Sequence, residues 1–420
     1  MDSIILIQAI ALVFGCYMAW NIGANDVANA MGTSVGSKAL TLRRAVLLAA
    51  VLEFSGAFFA GSTVSETIQN GIIDPQIFEG NPLVFAVGMM GSLLATGVLL
   101  QAASYFGLPI STTHAIIGAI IGFGVAIGGP QAIQWEALGW IVSSWFLSPL
   151  FSGLISYGIF RIIQKNILLA LDPLAASQKL TPYFVFLSFT VLTLSLLFQG
   201  LNLDVSMGAA LFLSVGIGLV AALASRLLMS SSRLFPVPVA EGLLISSIHP
   251  YQGVEKSFIP LQILSACLVA FAHGANDVSN AIGPVAAVIS VLNTQSLHCP
   301  STIPPWLLAL GGIGIVMGLA TWGWRVIETI GKKITELTPT RGFSAEFGAA
   351  STILLASKLG LPISTTHALI GAVLGVGMSR GWKGVNLGTL REIGVSWIVT
   401  IPLCALLSIL AFYLLQFCIL

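Results

Sequence analysis

Two short segments carry most of the polar chemistry in an otherwise apolar chain. Pro109-Ile110-Ser111-Thr112-Thr113-His114 recurs as Pro362-Ile363-Ser364-Thr365-Thr366-His367. Each follows a Gly-Leu break and opens an apolar run. Ser and Thr are N-cap residues, and the first-turn amides of a helix have no intrahelical partners. Such an end carries partial positive charge and attracts an anion, with the hydroxyls as further donors. Two ends, one from each copy, would enclose a small tetrahedral oxyanion near a membrane midplane without a buried Arg or Lys. The plainer alternative is that the hydroxyls only cap their helices. Keeping the same hexapeptide twice inside a helix break favours binding. His114 and His367 fall on the first turns, where packing or hydrogen-bond orientation is favoured over titration.

A second pair of segments supplies acids. Asn25-Asp26 and Asn276-Asp277 each follow Gly-Ala and precede Asn29 or Asn280. Asn29 is four residues past Asn25 and shares its helix face. A carboxylate within a bilayer is costly unless paired or ion-bound, so it marks function by default. Asp and Asn oxygens beside a glycine-loosened backbone suit Na⁺, and a protonatable Asp suits H⁺. Interhelical hydrogen bonds, worth about 1 kcal/mol, are the structural alternative. Glu53 and Glu346 also lie in apolar surroundings without acidic repeat partners, Leu93 standing opposite Glu346. Either is an ion ligand, a proton carrier, a gate or a partner for a backbone break. His273 replaces Ile22 in the second copy, within reach of Asp277. Glu66 and Glu328 fall near span ends and read as interfacial.

The elements that must position these residues are membrane helices. The chain has 420 residues, 56% hydrophobic and 8% charged, against about 25% charged in a soluble protein. Soluble and disordered classes are both excluded by that balance. The net charge of +1 gives no reason to expect nucleic acid. Cys16, Cys267, Cys299, Cys404 and Cys418 show no CxxC and no metal-ligand spacing. Without a Walker A sequence, ATP hydrolysis is not expected. The start Met1-Asp2-Ser3 lacks positive charge, so the first apolar run reads as a span.

Apolar runs at 4–31, 44–61, 82–105, 109–128, 137–160, 182–200, 205–225, 258–282, 306–324, 344–358, 361–378 and 392–418 give about 12 membrane segments. Lys and Arg avoid 62–81, 129–136, 201–204 and 283–305. Cytoplasmic loops carry the positive excess. If 82–128 and 344–378 are hairpins returning to their own side, 16 of the 17 basic residues are cytoplasmic and Lys358 is left at a tip. Both termini then lie outside.

The chain is duplicated. Residues 23–32 and 274–283 match at 8 of 10 positions, and 107–125 and 360–378 match at 14 of 19. The charge map turns the copies into inverted repeats. The organisation expected is a first repeat over 1–165 (GAND motif 23–30), two linking spans and a cytoplasmic loop over 166–257, and a second repeat over 258–420 (GAND motif 274–281). Each repeat contains a re-entrant helical hairpin, so the fold class is an all-α polytopic membrane protein. Secondary transporters use this plan, with sites at the midplane.

With these motifs in place, the chain resembles the PiT family of inorganic phosphate transporters, sodium- or proton-coupled permeases. The stretch from Gly32-Thr33-Ser34-Val35-Gly36-Ser37 to Glu53-Phe54-Ser55-Gly56 is most similar to the cyanobacterial and plastid branch. The resemblance implies inorganic phosphate as substrate, re-entrant hairpins, no cofactor beyond a coupling ion, and a homodimer. It places Ser111, Thr112, Thr113, Ser364, Thr365 and Thr366 at phosphate. Asn25, Asp26, Asn276 and Asp277 would hold phosphate and coupling ions, and Glu53, Glu346 and His273 match family polar positions. Residues 226–257 form a short loop where some relatives carry a large domain. The expected setting is a bacterial plasma membrane or an organellar inner membrane. Na⁺ is preferred over H⁺ because the Asn/Asp clusters offer many oxygens. A sulfate symporter is the nearest rival; an intramembrane enzyme and a passive anion channel lie further off.

Overall fold

The computed structural model describes residues 2–108, 110–197, 206–230, 251–294, 302–324, 326–327, 338–379, 381 and 387–419. Pro109, Cys299, Glu328, Lys332 and Lys333 lie outside them. The helices are α1 (Asp2–Gly36), α2 (Leu42–Ala60), α3 (Ser62–Asn70), α4 (Pro82–Tyr105), α5 (Thr112–Phe123), α6 (Trp135–Ile163) and α7 (Pro173–Ser195). They continue as α8 (Met207–Ser230), α9 (Gln252–Thr294), α10 (Pro305–Thr321), α11 (Pro339–Lys358), α12 (Thr365–Met378) and α13 (Leu387–Ile419). Among the described residues the only β feature is one isolated bridge, Ile73 to Ile133.

Among the described residues, six helices are long and apolar enough to cross a membrane, or seven when α2 and α3, bent by 62° at their junction, count as one span. This is an integral membrane protein. The other segments of the dozen expected are shorter, like α5, α10 and α12, or less apolar, like α7 and α11.

Both Gly-Leu-Pro segments end a helix, and in the same way. Gly107 (φ 66°) and Gly360 (φ 67°) adopt left-handed backbone that glycine takes without a Cβ penalty. Leu108 N–H then reaches back to Ala103 C=O at 2.9 Å, and Leu361 N–H to Ala356 C=O at 2.9 Å. The chain turns there and continues as α5 or α12. Ser111 and Ser364 cap these half-helices, each accepting from the histidine amide three residues on at 3.2 Å. Such a cap is worth about 1 kcal/mol.

The two copies interlock. α1 packs on α10 and α2 on α9, while α6 covers α11 and α12 and α13 covers α4 and α5. Glycine permits the closest crossings. A methyl group on Gly23 would sit 1.9 Å from the Ile315 carbonyl oxygen, and one on Gly318 1.8 Å from that of Trp20. The matching crossing sets Gly274 against Glu53 O at 2.0 Å and Gly56 against Phe271 O at 2.0 Å. Backbone cannot yield by an ångström at one point in a packed interior. Gly318→Val is therefore expected to lower stability by roughly 3 kcal/mol or more. A fall of the unfolding midpoint in detergent checks this, against Gly139→Ala, an exposed helical position with open space around it.

These crossings also correct one expectation. A loosened backbone was expected at Gly23-Ala24 and Gly274-Ala275, yet α1 and α9 run through both without a break. The glycines serve close helix approach, so backbone carbonyls there remain in the helix ladder. The breaks beside the site fall at Gly107 and Gly360 instead.

Candidate functional site

The acids and the hydroxyls converge at the half-helix ends. Thr112 Oγ1 donates to Asp26 Oδ2 at 2.8 Å, and Thr365 Oγ1 to Asp277 Oδ2 at 2.9 Å. Each pair joins a GAND segment to the hairpin of its own copy. The third hydroxyl reaches across to the other copy. Asn29 Nδ2 donates to Thr366 Oγ1 at 2.8 Å, Asn280 Nδ2 to Thr113 Oγ1 at 3.3 Å, and Thr113 Oγ1 to Ile363 C=O at 2.9 Å. All these side chains are buried. The sequence thus assigns three successive hydroxyls to three tasks: capping, holding the acid, and joining the halves.

Asn25 and Asn276 are placed differently from the acids. Asn25 Nδ2 donates to Ser104 Oγ (2.9 Å) and Leu108 C=O (3.2 Å), both at the first hairpin tip. Asn276 Nδ2 does the same with Ser357 Oγ (3.0 Å) and Leu361 C=O (3.2 Å). These two amides tie each tip to its GAND helix.

Between the copies, Asp26, His273 and Asp277 each offer one ligand atom, all within 4.8 Å of one another. His273 bridges two acids: Nε2 lies 3.1 Å from Asp277 Oδ2 and Nδ1 3.3 Å from Glu53 Oε1. His114 and His367 meet edge to face with ring centres 4.4 Å apart. Trp145 lies 3.9 Å from the His114 ring, and its Nε1 donates to Pro362 C=O at 3.3 Å. The paired histidines and Trp145 therefore hold the first turns of α5 and α12 together.

Glu346 stands apart from this centre. Oε1 accepts from Thr33, from Ser34 at 2.7 Å and from Gln262 at 3.4 Å, and Oε2 accepts from Ser265 at 2.5 Å. The cluster joins α1, α9 and α11. Sequence reading singles out Glu346 but gives Thr33 and Ser34 only as part of the stretch that resembles the plastid branch, and Gln262 and Ser265 not at all. Ser104 and Ser357 had a signal that went unused, the same offset of 253 as the hairpin motifs.

This arrangement offers hydroxyl donors and half-helix ends to an oxyanion, with two carboxylates beside it for cations. Comparison with known proteins agrees with that chemistry. The model of the phosphate transporter family matches residues 22–408. The chloroplastic inorganic phosphate transporter 2-1 of Arabidopsis thaliana is 46% identical over 96% of this chain and 71% of its own length. A solved structure described as the sodium-dependent phosphate transporter superposes with a TM-score of 0.90 at 39% identity. It covers 98% of this chain and 99% of that one. These relatives are transporters and not enzymes, and this chain belongs to the phosphate transporter family.

Proposed function

We propose that this chain imports inorganic phosphate by symport with Na⁺ through alternating access. The observation that carries the reading is the pairing of the two half-helix starts, Ser111–His114 and Ser364–His367, against Asp26 and Asp277. Ser111, Thr112, Thr113, Ser364, Thr365 and Thr366 line phosphate, the Thr112, Thr113 and Thr365 hydroxyls turning to it from Asp26, Ile363 C=O and Asp277, aided by the free amides of both first turns. Asp26, Asp277, Asn29 and Asn280 supply oxygens to Na⁺. Asn25 and Asn276 fix the hairpin tips through Nδ2, and their Oδ1 atoms join the oxygens offered to phosphate and Na⁺. The 39% identity to a transporter described as sodium-dependent supports Na⁺ over H⁺.

Moving a divalent phosphate inward against 100 mV costs roughly 4.6 kcal/mol, at about 2.3 per charge. Two Na⁺ cancel that term and a third makes import electrogenic, so at least two accompany each divalent anion. Access alternates by rocking one inverted repeat assembly against the other, the hairpins opening from opposite sides and both termini outside. Assembly as a homodimer in a bacterial plasma membrane or organellar inner membrane follows from the family resemblance. The acids favour phosphate over sulfate, because protonated phosphate needs an acceptor and sulfate does not.

The test is ³²P-phosphate uptake into liposomes under an imposed Na⁺ gradient at fixed pH. Accumulation with Na⁺ and none with K⁺ is expected, with excess sulfate failing to compete. Uptake driven only by a pH gradient would replace Na⁺ by H⁺. Sulfate uptake without phosphate uptake would overturn the substrate.

A further inference from the structure

The two half-sites are twins in sequence but not in hydrogen bonding. In the first, Asp26 has both carboxylate oxygens engaged, Oδ1 by Asn29 at 3.2 Å and Oδ2 by Thr112. Asn25 Oδ1 accepts from the Ile110 amide at 3.4 Å. In the second, Asn276 Oδ1, Asp277 Oδ1 and Asn280 Oδ1 are buried with no hydrogen-bond partner among the described residues. One turn of α9 therefore presents three unsatisfied oxygens, one of them from a carboxylate. Leaving such groups unmade costs about 1–3 kcal/mol each, more for a charged one. A hard monovalent cation would satisfy them together.

The direct difference is that Asn29 Nδ2 reaches Asp26 Oδ1 whereas Asn280 Nδ2 reaches Thr113 instead, and two substitutions that face each other accompany it. The matching helix crossings pair Gly56 with Gly318 and Gly274 with Gly23. By that register Glu53 corresponds to Ile315 and His273 to Ile22. The first half-site has two buried isoleucines where the second has an imidazole and a carboxylate. His273 takes Asp277 Oδ2 together with Thr365, leaving Oδ1 clear, and Glu53 on α2 fixes the far side of the ring.

We propose that His273, braced by Glu53, holds Asp277 with one carboxylate oxygen open, so that the α9 half-site takes the first Na⁺ before phosphate binds. The Asp26 half-site fills afterwards, because Asp26 must first surrender a contact to Asn29 or Thr112. His273 is a positioning residue, acting through Asp277. The order of binding rests on the Na⁺-coupled reading above.

The experiment follows the unfolding midpoint of the whole protein in detergent against NaCl, with choline chloride keeping ionic strength constant and no phosphate present. A ligand that binds only the folded state raises that midpoint. Wild type is expected to show a saturable shift. Asp26→Asn should keep it with half-saturating Na⁺ within about threefold, and Asp277→Asn should lose it. Glu53→Ile/His273→Ile, which copies the first half-site, should raise half-saturating Na⁺ about tenfold, as for one hydrogen bond to a charged group. No Na⁺ shift in wild type, equal losses in the two aspartate variants, or a loss confined to Asp26→Asn overturns the proposal. An unchanged half-saturation in the clamp-free variant removes the role of His273. Should that variant not accumulate, the two aspartate variants decide. Phosphate uptake by the same wild-type preparation separates the two levels. Absence of Na⁺-driven uptake defeats the symport reading, whereas uptake with symmetric aspartate effects defeats only the order.

Discussion

Asp26→Asn/Asp277→Asn is expected to reach the membrane at near wild-type levels and to lose Na⁺-driven phosphate uptake by about 100-fold or more. The folding half of this result follows from the contacts. Thr112 and Thr365 each donate to an aspartate oxygen, and an asparagine oxygen accepts the same bond. Replacing a buried carboxylate by an amide also removes the cost of keeping a charge out of water. The transport half follows from charge. On the proposed reading phosphate brings negative charge up to Asp26 and Asp277, whose ligand atoms lie with one of His273 within 4.8 Å of one another. Cations bound at those carboxylates offset that repulsion, and each charged contact is worth about 1.5–3 kcal/mol. Two losses of this size multiply. Size-exclusion profiles and ³²P uptake on the same preparation check both halves. Retained uptake with an unaltered Na⁺ requirement would remove the aspartates from the coupling site.

What could be read from sequence was whatever one helix or one turn decides. The Gly-Leu-Pro breaks, the Ser111 and Ser364 caps and the twinning of Asp26 with Asp277 all follow from local spacing. The partners across helices did not follow. Asn29 meets Thr366, 337 positions away, because interlocked copies bring α1 against the second hairpin. Nothing in either segment encodes that approach. The unbroken backbone at both GAND segments was missed for a related reason. Glycine in a membrane helix serves a break or a close crossing, and only the neighbouring helix tells which. At Gly23 and Gly274 that neighbour is another backbone, under 2.1 Å from where a Cβ would stand.

Glu346 shows how far such a missing partner set changes an expected effect. Read alone, it is one acid in an apolar run, and Glu346→Leu would merely copy Leu93 of the other repeat. In the fold it collects four donors from Thr33, Ser34, Gln262 and Ser265, all buried. The counterparts of those donors at the repeat offset are Pro284, Val285, Ala11 and Phe14, which are apolar. Leucine at 346 therefore removes the acceptor and strands the donors. Breaking one side of a buried charged cluster costs about 3–5 kcal/mol, enough to empty the folded state of a marginally stable protein. Glu346→Leu is expected to fail to accumulate, as measured by detergent-extracted monodisperse protein. Thr33→Val, Ser34→Ala, Gln262→Leu and Ser265→Ala added to Glu346→Leu should recover most of that loss, because apolar replacement of a whole buried cluster is near neutral. Recovery would place the defect in the stranded donors. Continued failure of the five-fold variant would place it in shape, since the first repeat shows the apolar version at the corresponding positions packed by different side chains.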